Sequence, residues 1–163
     1  MKTKTMNNSQ KIMAWKHFRN GMDYKEIADM LNAPLSLIRS HIRKKLKEAC
    51  DKLWSKEIRS VGACEITGAT GILHAHHLLE KGAFPQYRFD LSNGICLSES
   101  VHIFSPEFSP HYSSASGKNF WDWMQEHRPG QYQWWDEHRQ IKGGAGEKVD
   151  YLEIYNKLKR NRT

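Results

Sequence analysis

Apolar and polar positions alternate with a helical period through the first fifty residues, and the rhythm is broken twice. In SQKIMAWKHFRNG (9–21), Ile12, Trp15 and Phe18 recur at helical spacing, with Ser9 expected as N-cap and Gly21 as the residue that ends the helix. In MDYKEIADMLN (22–32), Asp23 and Glu26 stand three apart as a capping box. Ile27, Met30 and Leu31 form the apolar stripe, and Ala28 is small enough for close helix contact. In APLSLIRSHIRKKLKEAC (33–50), Pro34 suits a first turn, and Ile38, Ile42 and Leu46 face inward at four-residue spacing. Two short helices, a tight turn and a longer third helix are expected, with 52–62 as helix tail and linker.

The period then changes. Gly62, Gly68 and Gly71 interrupt any helix, and ILHAHHLL (72–79) is short and apolar enough to predict a strand. A looser stretch, EKGAFPQYRFDLS, leads to NGICLS (93–98), where Asn93-Gly94 is a turn signal and ICL a second strand. SESVHIF (98–104) reads as a helix start that Ser98 or Ser100 can cap. The order is strand, loop, strand, helix.

Charge separates these halves. Residues 1–60 carry 14 Lys/Arg against 6 Asp/Glu, while 61–163 carry 11 against 12, so the net +7 of the chain is concentrated in the first third. A basic field on one small helical module points to a polyanion, most simply nucleic acid. A protein-binding three-helix bundle is the alternative. The stretch YKEIADMLNAPLSLIRSHI resembles the helix-turn-helix of sigma-like and resolvase-like DNA-binding modules. That resemblance turns Leu35, Ser36, Arg39, Ser40 and Arg43 outward. Arg39 and Arg43 are the residues for base or phosphate contact, because guanidinium pairs bidentately with guanine or phosphate. Ser40 lies beside them, and Lys44, Lys45 and Lys47 would follow the backbone. No apolar run is long enough to span a membrane and the N-terminus lacks a signal-peptide core, so a cytoplasmic protein is expected. Cys50, Cys64 and Cys96 fit reduced thiols.

The chemistry lies in three histidines within four positions, His74, His76 and His77, followed by Asn93 and His102. Packing alone rarely assembles such a set. Neutral imidazole, with an ordinary pKa of about 6.5, accepts a proton near neutral pH and ligates metals. Strict strand alternation would aim His76 and His77 at opposite faces, so the strand must bend or end there.

HAHHLL, RFDLSNGICLS and SVH together resemble the HNH nuclease family of the ββα-metal type, and CEITG (64–68) is similar to the entry of its phage-type, free-standing homing-like members. The resemblance covers roughly 64–125. It implies His77 as general base, with Asn93 grouped with it as the catalytic residue that braces the loop. It implies His76 and His102 as ligands of a divalent ion, Mg²⁺ first and Mn²⁺ or Zn²⁺ as alternatives. Asn93 taken alone reads equally as a plain turn residue. Position 106, where many relatives carry a further histidine, is Pro; His111 is offered instead as a third metal ligand, a phosphate contact or a surface residue. His74 reads as support. Arg88 is assigned to a phosphate, with a surface contact to Asp90 as the alternative. Only one thiol stands in each half of the paired C-x-x-C pattern, so no structural zinc is expected, and Cys64 and Cys96 should pack close together.

In the tail, Phe120, Trp123 and Met124 mark one helix, Pro129-Gly130 a break, and Tyr132, Trp135 and His138 a second. These aromatics should cover the core, with base stacking as the other use. GGAGEK (143–148) reads as a linker, and DYLEIYNKLKR (150–160) as an amphipathic helix whose basic end meets DNA or solvent.

The expected class is therefore α+β and mostly helical. Residues 1–55 form a helix-turn-helix module, 56–142 a ββα-metal core with added helices, and 143–163 a linker and helix. The expected function is metal-dependent endonuclease action on double-stranded DNA, by nicking or double-strand cleavage, as monomer or homodimer and with no membrane partner. A DNA-binding regulator with a structural metal is the rival.

Overall fold

The computed structural model describes residues 5–105, 114–141 and 149–160. His111 and the 143–148 segment lie outside them. The fold is α+β and mostly helical, with one two-stranded antiparallel sheet. The chain divides into two compact units, one comprising the chain up to Cys50 together with the segment from Tyr151 onward, the other Asp51–Asp150.

In the first unit, α1 (Asn8–Arg19) is capped by Asn7, not by Ser9. Asn7 Oδ1 accepts from the Gln10 N–H at 2.9 Å, and Gln10 Oε1 accepts from the Asn7 N–H at 3.0 Å. Ser9 has Ile12 three residues on, which cannot return such a bond. Gly21, at φ 92°, ends the helix as expected, with Met22 N–H on His17 C=O at 3.1 Å and Gly21 N–H on Phe18 C=O at 3.0 Å. α2 (Tyr24–Met30) carries the anticipated Asp23/Glu26 capping box. It ends in the same way at Asn32, one of the few residue types that tolerates φ 46°.

α3 (Leu35–Ile58) runs well past residue 50. Ala14, Ile27, Ala28, Leu31, Ile38, Ile42 and Leu46 form the core of this unit. Two expected core residues are on the outside: Ile12 is 70% exposed and Met30 44%. The inward stripe of α1 passes through Ala14 and Phe18, and Ile12 sits about 200° around the helix from Ala14. Leu35, expected outward, is half-buried against this core. α6 (Tyr151–Arg160) contributes Tyr151 and Tyr155 to the same cluster and buries Leu158.

In the second unit, β1 (Leu73–His77) pairs antiparallel with β2 (Gly94–Ser98), with His77 opposite Gly94, His76 opposite Ile95 and His74 opposite Leu97. Gly94 does not make the turn that Asn93-Gly94 suggested. Its φ is −121°, ordinary extended backbone, and it opens β2. What requires glycine is space: a Cβ there would lie 2.3 Å from Ile58 Cδ1 and 2.8 Å from Trp54 Cζ2. One face of the hairpin is thus pressed onto the end of α3. Ile95 and Leu97, on the other face, pack with Phe120 and Met124 of α4 (Ser114–His127).

A single π-type turn, Ser100–Phe104, follows β2, and the Ser98 hydroxyl accepts from the Val101 N–H at 3.4 Å. α5 (Pro129–His138) stacks Trp135 on Trp121 of α4 at 3.7 Å, so these aromatics cover the core as anticipated. Cys64 and Cys96 are buried free thiols. Burial pushes the Cys64 thiol up, but hydrogen bonds with Thr67 and Ser98 bring it below its ordinary pKa. Burial and the neighbouring Glu65 push Cys96 up. Among the described residues no helix is long and apolar enough to cross a membrane.

Candidate active site

β1 ends at His77, so the two adjacent histidines stand at the last positions of the strand. A cleft of about 500 Å³ is lined by Ala75, His76, His77 and Leu78 together with Glu80, Lys81, His102 and Trp121. The cavity touches the last three strand residues, Ala75–His77, and Leu78 just beyond them, so it lies at the end of the strand. Both histidines thus line one cavity where the strand ends, although their rings turn to opposite sides.

His77 turns toward α3. Its Nε2 lies 2.9 Å from the Arg88 carbonyl, and its ring stacks on Trp54 at 3.8 Å with 13° between planes. A carbonyl only accepts, so Nε2 carries the proton, and in the neutral ring Nδ1 keeps its lone pair. Burial holds the His77 pKa below its ordinary value; the Arg88 carbonyl and Asp51 oppose this, and Lys81 and Arg88 add to it. Burial thus favours the neutral ring.

Asn93 is fully buried. Its Oδ1 accepts from the Leu79 N–H at 2.6 Å, and its Nδ2 donates to Leu79 C=O at 3.2 Å and Tyr87 C=O at 2.9 Å. One side chain thereby ties the exit of β1 to the segment whose next carbonyl, that of Arg88, receives His77.

His76 turns the other way. Its Nδ1 is 3.1 Å from His102 Nε2, with the rings 65° apart. Two nitrogens each about 2.1 Å from one ion, at roughly 90–110°, stand roughly 3.0–3.4 Å apart, so this pair has the separation of two ligands to a shared ion. His74 stacks near-parallel on His102, at 5.1 Å and 25°. Near-parallel rings keep their lone pairs in separate planes, which suits support and not shared ligation. Among the described residues no group of three or more His, Cys, Asp or Glu is arranged to hold a metal ion. The third candidate, His111, lies outside them.

Within the chain, Arg88 pairs with Asp51 and not with Asp90. Its Nε and Nη2 meet Asp51 Oδ1 and Oδ2 at 2.8 and 2.9 Å, a bidentate pair that replaces the anticipated contact with Asp90. The Arg88 side chain is 14% exposed and grips Asp51, which ties the loop to α3. Sequence reading missed Asp51, Trp54 and the cleft-lining Trp121. A signal for Trp54 was present: the four-residue repeat Ile38, Ile42, Leu46 continues through Cys50, Trp54 and Ile58.

In the first unit, Arg39, Ser40, Arg43 and Lys44 are all exposed on α3. The Arg43 guanidinium lies over the Tyr151 ring, 4.6 Å from its centroid.

No family model, curated protein or solved structure matches this chain.

Proposed function

We propose that the protein is a metal-dependent endonuclease of the HNH type, acting on duplex DNA bound by a helix-turn-helix formed by α1–α3. The observation that carries this reading is the pairing of a tautomer-fixed imidazole at His77 with two converging nitrogens at His76 and His102 in one cleft. Phosphodiester hydrolysis needs a proton acceptor beside the attacking water and positive charge on the phosphate oxygens.

His77 Nδ1 takes a proton from water as the water oxygen attacks phosphorus. The bond from phosphorus to the 3′ oxygen breaks, and the departing 3′ oxygen takes a proton from solvent water. The ends left are 3′-hydroxyl and 5′-phosphate, and the imidazolium then returns its proton to solvent. The Arg88 carbonyl holds Nε2–H throughout, so the imidazolium formed keeps its orientation. Asn93 fixes the backbone on either side of that contact. His76 and His102 are the residues that would hold a divalent ion, and such an ion neutralises phosphate charge when bound. Imidazole donors suit Zn²⁺ and related transition ions at least as well as Mg²⁺, so Mg²⁺, Mn²⁺ and Zn²⁺ all belong in the test.

Incubation of supercoiled plasmid with protein and each ion should convert it to open-circular or linear form. Ion and DNA binding without cleavage under any of them would favour a non-catalytic DNA-binding regulator. DNA binding has its own test. Arg39→Ala with Arg43→Ala should reduce the slope of log affinity against log salt by about 1.8, if each guanidinium neutralises one phosphate. An unchanged slope removes these residues from the interface.

A further inference from the structure

The His77 ring is oriented by a carbonyl, and a carbonyl positions a ring only as well as its own backbone is held. Segment 87–90 is held at three successive points. Tyr87 C=O accepts from Asn93 Nδ2 at 2.9 Å, and the Arg88 guanidinium is clamped by Asp51. Asp90 C=O accepts from Trp54 Nε1 at 2.9 Å. The Arg88 carbonyl, which receives His77 Nε2, lies between these anchors. Trp54 acts a second time, through the stack of its indole on the His77 ring. Asp51 and Trp54 are three residues apart on α3 and so project from neighbouring positions on one side of it.

We propose that Asp51 and Trp54 are positioning residues for the proton acceptor at His77: Asp51 holds the carbonyl that selects the tautomer, and Trp54 holds the plane of the ring. The proposal rests on the nuclease reading for its kinetic consequence but not for its structural one. Asp51 makes a bidentate bond to a guanidinium that a simple surface acid would not need, and Trp54 spends its only N–H on the same segment. Neither residue touches the cleft.

The test uses the full chain in four forms besides wild type: Asp51→Ala, Asp51→Asn, Trp54→Leu and Trp54→Phe. Nicking kinetics should show kcat reduced roughly 10- to 100-fold in Asp51→Ala and Trp54→Leu, the range for partners that orient an active group, with KM for DNA little changed. Trp54→Phe preserves an aromatic stack and should recover most of kcat. Asp51→Asn keeps one acceptor and should fall between wild type and Asp51→Ala.

Ring ¹⁵N spectra of metal-free protein at about pH 8, where imidazole is neutral, supply a readout independent of cleavage. Wild-type His77 should be the Nε2–H tautomer, and Asp51→Ala a mixture. Wild-type kcat and a wild-type tautomer in Asp51→Ala overturn the proposal. If that variant or Trp54→Leu does not fold, an unchanged kcat and spectrum in Asp51→Asn overturn it equally. Failure of wild type to nick with any ion removes the nuclease reading, and the tautomer spectra then decide alone whether these residues hold the ring.

Discussion

His76 and His77 are neighbours in the chain and have the same side chain, yet their surroundings differ in kind. His77 is committed: a carbonyl takes one nitrogen, an indole covers its face, and a buried asparagine and a bidentate ion pair hold the carbonyl's segment. His76 meets another imidazole nitrogen at 3.1 Å, a contact that one tautomeric choice satisfies and that an ion between the rings would replace. The first arrangement is built before any ligand arrives. The second is a contact between two imidazoles. Rigid support suits a group proposed to accept a proton in one direction, and two close imidazole nitrogens suit a pair proposed to hold an ion.

The largest effect on the rigid side should come from Asn93→Ala. It strips partners from the Leu79 N–H and from two carbonyls in a buried setting, at a cost of roughly 3 kcal/mol. Urea unfolding measures the loss, and a change below 1 kcal/mol on the scale of about 1 kcal/mol per net hydrogen bond would mean that the brace is not built as described.

The gripping side breaks differently. His102→Ala should weaken Mn²⁺ or Zn²⁺ binding by roughly 10- to 100-fold while leaving the His77 ring signature untouched. Titration calorimetry with each ion reads the first part, and equal affinity in wild type and variant would remove His102 as a ligand.

The smallest effect is on stability against pH. His77 and His41, whose ring Nε2 contacts the Lys11 carbonyl, are both held below their ordinary pKa, with burial the leading cause. A folded pKa below the unfolded value of about 6.5 means that the unfolded chain takes up protons first on acidification. Their contribution is therefore complete above about pH 6.5 and declines as pH falls toward the folded values. Thermal melts between pH 7.5 and 5.5 should show Tm decreasing, and a rise would contradict these shifts.

Much of this contrast could be read from residue order, and the rest could not for definite reasons. The His76, His77, Asn93 and His102 set is local chemistry at recognisable spacing, and the structure brings its members to one hairpin and the turn after it. The Arg88–Asp90 alternative gave way to Asp51, a partner 37 positions away that only folding brings near. Gly94 looked like a turn residue, whereas its role is to let β2 approach α3. Trp54 lies in the 52–62 stretch read as helix tail and linker, although the apolar four-residue repeat runs on to Ile58. Ser9 lost its place as cap because Asn7 has a reciprocating Gln10.

The most direct measurement is plasmid nicking by His77→Ala beside wild type, with ion affinity determined for both. Wild type should nick in a metal-dependent way, and His77→Ala should be slower by roughly 100- to 10,000-fold with its ion affinity retained. Equal nicking by the two proteins would contradict the assignment of His77 as the proton acceptor.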